Sequence, residues 1–253
     1  MQSIFKRCEK KYLVATRQRV ALADIIARHM PPDSYGEYLV QNVYYDTDAW
    51  DVIRASIEKP IYKEKLRLRC YGVPNDGDRL FLELKKKYKG VVYKRRVDFP
   101  AAEVRNASVR EIIAKRMDSQ IARELGFYLK RNPVSEKVWL AYRRSAFAGI
   151  GDEAGLRITF DTDIRFRTDK WGFLGPDGGT FILPQETTLM EIKALDGMPL
   201  WMARALSDYG VFPTSFSKYG TCYTEHIMSG GMWQSQRIAN SEQRVGRVVG
   251  ASA

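Results

Sequence analysis

Residues 62–71 read YKEKLRLRCY, with Lys63, Lys65, Arg67 and Arg69 at every second position. Successive side chains of a β-strand point to opposite faces, so these four cations share one face while Leu66, Leu68 and Cys70 share the other. The charged face is either a solvated surface or a binding wall. Like charges in a row repel, and a merely solvated strand tends to mix signs or to use Thr, Ser and Glu. The other strands decide between the two.

Period-two patterning recurs at about 4–14, 39–46, 61–71, 79–88, 91–99, 137–147, 156–167 and 186–194, which predicts eight strands. Charged and polar residues fall in phase on most of them. Arg7, Glu9 and Lys11 share a face on the first; Glu83, Lys85 and Lys87 on the fourth; Lys94 and Arg96 on the fifth. The later strands place Tyr142 with Arg144, Arg157 with Thr159, Asp161 and Asp163, and Glu191 with Lys193. The opposite faces are apolar: Leu80, Leu82 and Leu84; Trp139 and Ala141; Ile158, Phe160 and Ile164; Met190 and Ile192.

The run LFLELKKKYKGVVYKRRVDF reads as a hairpin turning near Lys89 and Gly90, and Pro74 with Asn75-Asp76-Gly77 supplies another turn, so neighbouring strands are antiparallel. Apolar residues three and four apart predict helices over about 17–30, 108–130 and 198–209. The expected fold is α+β and mainly β: an eight-stranded antiparallel closed β-barrel with a charged interior and covering helices. It spans residues 1–227 as one catalytic domain, and the polar, Gly/Ser-rich stretch 228–253 reads as a flexible tail.

The 253 residues are 45% hydrophobic, enough for a substantial core. Lys and Arg outnumber Asp and Glu by 41 to 30, a net charge of +11, which calls for an anionic partner: nucleic acid, anionic lipid or phosphorylated small molecules. Cys8, Cys70 and Cys222 form an odd set without CxxC spacing, so neither a disulfide framework nor a zinc site is indicated. With no signal-peptide h-region and no apolar run of roughly 20 residues, the expected location is the cytoplasm. His29 ends an amphipathic helix, and neither it nor His226 suggests a Cys/His or Ser/His/Asp site.

A barrel lined with Arg and Lys repels itself unless an anion fills it, and a chain of phosphates offers closely spaced oxygens for Arg forks and Lys point charges. Polyphosphate fits that geometry. The in-phase carboxylates Glu9, Glu83 and Glu191 either pair with the cations or hold a hard cation, Mg²⁺ or Mn²⁺. Glu191, in LMEIKAL, is the first choice for a metal, with Glu9 and Glu83 as further candidates. Lys193 joins the phosphate-binding candidates by strand phase.

RCEKKYLV, VYYDT, KLRLRCYG, LFLELKKK followed by VVYKRR, YRRSAF, RITFD, LMEIK and FSKYGTC stand in this order between about residues 4 and 225. Together they resemble the catalytic domain of the vacuolar transporter chaperone (VTC) family of polyphosphate polymerases, which belongs to the triphosphate tunnel metalloenzymes. The resemblance implies an antiparallel tunnel barrel and an ATP–polyphosphate phosphotransferase that moves the ATP γ-phosphate onto polyphosphate and releases ADP. It implies phosphate-binding roles for Lys11, Arg67, Arg69, Lys85, Lys94, Arg144 and Lys218, hydroxyl donors in Tyr142 and Ser217, and Glu191 as the metal carboxylate. Ser217 and Lys218 rest on the resemblance alone. The catalytic set expected from it is Arg67, Arg69, Lys94, Arg144 and Glu191, with Mn²⁺ or Mg²⁺ as cofactor.

Hydrolytic relatives typically begin Glu-x-Glu-x-Lys, whereas the corresponding residues here are Arg7, Glu9 and Lys11, which favours phosphate binding over a second metal and hence the polymerase branch. The SPX domain and membrane helices of eukaryotic VTC subunits have no counterpart in this sequence. A membrane-associated partner protein would be needed to hold the chain at the inner face of a membrane. Expected small-molecule partners are ATP, polyphosphate, and phosphate or pyrophosphate. The alternatives are a tripolyphosphatase or nucleoside triphosphatase using the same tunnel, and a non-catalytic polyphosphate- or nucleic-acid-binding protein. Nucleic-acid binding predicts cations interleaved with stacking aromatics, whereas these alternate with aliphatics.

Overall fold

The alternation of charged and apolar residues folds into strands whose two faces meet different surroundings. In the computed structural model, which describes residues 8–89, 91–169, 172–173, 178–195 and 197–229, the strands are β1 Cys8–Ala15, β2 Pro32–Asp46, β3 Tyr62–Tyr71, β4 Arg79–Tyr88, β5 Val91–Pro100, β6 Ser135–Ala148, β7 Arg157–Arg167, β8 Thr180–Phe181, β9 Thr187–Ala194 and β10 Pro213–Thr214. They form one sheet in the order β10-β1-β9-β7-β6-β2-β3-β4-β5, with β8 paired to β7. Every described ladder is antiparallel.

The eight expected strands are present, and the expected closure by hydrogen bonds is corrected. The sheet has ten strands and ends at β5 and β10, and among the described residues no ladder joins the two. β10 is two residues long and begins with Pro213, which has no N–H to donate. The sheet curls instead, so that side chains of β1 and of β4 face one cavity. Arg7, Gly90 and residues 230–253, which hold most of the expected tail, lie outside the described residues.

Helices α1 Thr16–His29 and α6 Leu200–Asp208 cover one outer face: Leu22, Ile26, Met202 and Leu206 pack on Tyr12, Ile158, Phe160, Met190 and Ile192. Full burial of a side chain such as Leu22 contributes about 1.5–3 kcal/mol. The predicted helix over 108–130 is two helices, α4 Val109–Ala114 and α5 Gln120–Arg131, preceded by α3 Ala101–Asn106. The Ser119 hydroxyl accepts from Ala122 N and starts α5 afresh. These three cover β2–β5 through Ile112, Ile113, Leu125 and Leu129.

Asp163 has a φ of 50°, and the β6–β7 register shifts beside it between Ala141 and Arg143. This bulge reverses the phase of β7. Asp163 therefore does not share the inner face with Thr159 and Asp161 but pairs with Arg143, 3.7 Å away. Ile164 likewise leaves the face of Ile158 and Phe160 and joins an inner cluster. That cluster, with Tyr44, Tyr142 and Leu189, packs against α2 Asp51–Ile57 and α7 Lys218–Cys222. Part of the interior is thus apolar and filled by helices, and the cations occupy the rest. No helix among the described residues is long and apolar enough to cross a membrane.

Candidate anion-binding site

β3 turns Lys65, Arg67 and Arg69 inward, and its ladder with β4 sets Arg67 opposite Glu83. The Arg67 Nε and Nη2 donate to Glu83 Oε2 at 2.9 and 2.8 Å, while Lys94 and Arg96 of β5 each reach Oε1 at 2.6 Å. Glu83 is 1% exposed. Burial alone would raise its pKa, but Arg67, Arg69 and Lys94 overcome that and hold the carboxyl far below the usual range. Glu83 is an ion-pair hub, which is what its phase allowed as one of two readings.

A second hub forms where β6, β7 and β9 meet. Arg144 Nε and Nη2 donate to the two oxygens of Asp161 at 2.6 and 2.7 Å, a bidentate fork. Lys218 Nζ lies 2.5 Å from Asp161 and 3.2 Å from Glu191. Lys11, Arg144 and Lys193 stand 3.5–3.7 Å from Glu191. Burial opposes ionisation of Glu191, and Lys218, Lys11, Lys193 and Arg144 outweigh it, so this carboxyl also stays well below its ordinary value.

Tyr142 lies between the hubs. Its hydroxyl accepts from Arg69 Nη2 at 3.1 Å, and Lys218 sits 4.5 Å over its ring. Burial would raise the phenol, but Arg144, Arg69 and Lys218 draw its pKa below the ordinary value. Arg69 is also fixed by Asn42, whose Oδ1 accepts from Nε at 2.9 Å.

Ser217 caps α7, its Oγ accepting from Gly220 N at 3.1 Å. The next residues dock the helix: Tyr219 OH donates to Asp46 Oδ2 at 2.8 Å, and Asp46 accepts from the backbone N–H groups of Thr47, Val52 and Ile53 at the start of α2. Asp46 thus ties α2 to α7 and holds Lys218 over the second hub. Sequence reasoning quoted VYYDT without seeing this link. Asp161 was in phase yet unassigned, and Tyr44, whose hydroxyl accepts from Arg67 Nη1 at 3.3 Å, was also missed.

The structure gathers Glu9, Lys11, Arg67, Arg69, Lys85, Tyr142, Arg144, Glu191, Lys193, Ser217 and Lys218 around one cavity of about 170 Å³, together with Lys65, Tyr44 and Tyr219. A larger cavity of about 670 Å³ adjoins it, sharing Glu9, Lys11, Lys65, Lys85 and Ser217, with Lys59, Lys63 and Lys87 farther out. Lys94 and Glu83 line neither; they lie behind Arg67. His29 stacks on Trp201 on the outside, ring centroids 4.1 Å apart.

Among the described residues no three His, Cys, Asp or Glu side chains are grouped to hold a metal. The donor set still fits a hard divalent ion that arrives with phosphate, because such an ion takes one or two protein carboxylates and completes its shell with phosphate oxygens and water. Of the three carboxylates expected from the sequence, Glu191 and Glu9 line the cavity and Glu83 does not.

A curled antiparallel sheet and the helix α7 together place eight cations around one cavity, the arrangement of a tunnel fold. A model of the VTC domain matches residues 6–226, and the chain belongs to that family. No curated protein matches the sequence. Among solved structures, the chain is similar to a putative adenylyl cyclase from Hippeastrum, described as having a dominant triphosphatase activity: 16% identity, TM-score 0.48, covering 83% of this chain and 92% of that one. A putative adenylate cyclase from Vibrio parahaemolyticus shows 12% identity and a TM-score of 0.46 over 88% of this chain and 100% of that one. One from Bacillus halodurans shows 13% identity and a TM-score of 0.43 over 83% and 92%.

Proposed function

We propose that this protein is an ATP–polyphosphate phosphotransferase that lengthens an inorganic polyphosphate chain inside the cationic tunnel. The observation that carries this reading is the pair of adjoining cationic cavities meeting at Lys11, Lys65 and Lys85. One triphosphate needs a single pocket, whereas a growing chain needs a continuous row of cations beyond the reacting end.

In this reading Arg67, Arg69 and Arg144 hold the triphosphate, with Tyr142 and Ser217 as hydroxyl donors and Lys218 bridging to Glu191. Lys94 acts through Glu83 by holding Arg67 in place. Lys11, Lys85 and Lys193 guide the acceptor chain. An oxygen of the acceptor's terminal phosphate attacks the γ-phosphorus in line, the bond to the β–γ bridging oxygen breaks, and ADP leaves. The protein's part is positioning and charge stabilisation, so no side-chain nucleophile is needed. Glu191 would hold Mn²⁺ or Mg²⁺ together with the phosphate oxygens, which spreads the charge of the transferred group.

Incubation with ATP and Mn²⁺ or Mg²⁺, followed by gel separation of products, tests this. Long polyphosphate made by the wild type and lost in Glu191→Ala and Arg67→Ala is the expected result. Orthophosphate without chain growth would replace the polymerase reading with hydrolysis in the same tunnel.

A further inference from the structure

Lys65 sits where the two cavities meet and lines both of them. Its ammonium nitrogen donates to Ser217 Oγ at 3.3 Å and lies 5.9 Å over the Tyr219 ring. No ion pair with a carboxylate is found for Lys65 among the described residues, in contrast to Arg67 next on the same face, which Glu83 grips twice. Directly across the β3–β4 ladder stands Lys85, with Lys63 facing Lys87 one step along. Unlike Lys218 or Lys11, Lys65 therefore has neutral partners in Ser217 and Tyr219 and a like charge directly across the ladder.

We infer that Lys65 is an anion-binding residue of the tunnel that takes up a proton as the polyanion binds. The inference rests on the polyanion reading above. The groups facing Lys65 explain it. Lys63 and Arg67 come from its own strand, Lys85 from β4, Lys11 and Glu9 from β1, Lys193 and Glu191 from β9, and Lys218 and Tyr219 from α7. Glu191 is already shared among four cations. Burial, then Lys63, Lys11, Lys85 and Arg67, push the Lys65 amine down to about 7. A phosphate chain at the neck reverses the sign of the local field and restores the proton.

The sign of the linkage follows. The amine's pKa is low in the free protein and higher in the complex. Its contribution to binding is complete below about pH 7, and it is lost as pH rises through the bound-state value. The Lys65→Arg variant carries a permanent charge and cannot show this.

Isothermal titration of inorganic tripolyphosphate without divalent metal, in two buffers of different ionisation enthalpy, measures the protons exchanged. Subtracting the Lys65→Arg value cancels the ligand's own proton exchange. The expected excess for the wild type is about half a proton at pH 7, approaching one at about pH 8, with affinity falling about fivefold more than in the variant over that unit. Lys65→Met should bind more weakly and also lack the excess. Tight binding with equal proton exchange in wild type and Lys65→Arg would overturn this inference alone. No binding by either protein would overturn the polyanion reading with it.

Discussion

The two cationic regions of the tunnel are built differently. In the inner cavity the arginines are seated on buried carboxylates, Arg67 on Glu83 and Arg144 on Asp161, each through two donor nitrogens. In the outer cavity Lys63 donates to the Ser56 carbonyl at 3.0 Å and Lys65 to the Ser217 hydroxyl, and among the described residues neither has an ion pair with a carboxylate. Guanidinium forks fixed on carboxylates are oriented donors, whereas ammonium groups on flexible stems are mobile point charges. In the proposed function the inner region holds phosphates in one geometry, and the outer one attracts them with little regard to geometry, as a sliding chain requires.

The most severe way to break the contrast is to remove a carboxylate from the inner region. Glu83→Ala leaves Arg67, Lys94 and Arg96 facing one another without their shared partner. It should cost about 3–5 kcal/mol of stability, read from urea unfolding. Glu83 also predicts an acid limit. Because its folded-state pKa lies far below the ordinary 4.5, its contribution is complete above that value and is lost progressively as pH falls below it. Unfolding free energy measured from pH 6 down to about pH 3 should therefore drop more steeply in the wild type than in Glu83→Gln.

Asp46→Ala comes next. It strips three backbone N–H groups and the Tyr219 hydroxyl of their acceptor, an expected loss of about 2–3 kcal/mol. Tyr219→Phe keeps the α2 cap and should cost only about 1 kcal/mol. If Lys218 depends on this tie, both variants should bind tripolyphosphate more weakly in proportion to the loosening of α7. Unchanged affinity in Tyr219→Phe would show that Lys218 is placed by Asp161 and Glu191 alone.

The inner wall was legible because strand parity is a local property: YKEKLRLRCY and the in-phase residues of six other strands announce one charged face before any contact is known. Parity fails where a strand gains a residue. Nothing in RITFDTDIRF marks Asp163 as a bulge, although Asp tolerates its left-handed backbone better than most residues. The sharing of Lys218 between Asp161 and Glu191 is a long-range contact with no local signal, and the five-residue α7 is too short for a helical period. Closure was over-read for a related reason. Alternation shows that a strand has two faces, but not whether the last strand finds the first.

Replacing a fork by a point charge sharpens the comparison at constant charge. Arg144→Lys keeps the sign but loses the bidentate grip on Asp161, and Arg67→Lys does the same at Glu83. Either should lower kcat for chain extension by roughly 10²-fold, the order seen when one transition-state donor is removed, while tripolyphosphate affinity falls far less. Equal losses in kcat and affinity would mean that orientation in the inner region matters no more than charge.

The smallest effect is expected at the outer lysines, and its direction is the informative part. Lys87 faces Lys63 across the ladder and has no carboxylate partner among the described residues. Lys87→Met removes a repulsive cross-strand pair, so stability should stay level or rise by up to about 0.5 kcal/mol. Tripolyphosphate, short enough to be held by the inner cavity, should bind almost as before. Long-chain polyphosphate, reaching outward, should lose affinity by a few-fold, with a weaker dependence on salt because one fewer screened charge attracts it. A loss of stability instead would mean that Lys87 is held in place as firmly as Arg67, and the division between an oriented inner region and a mobile outer one would fail at that residue.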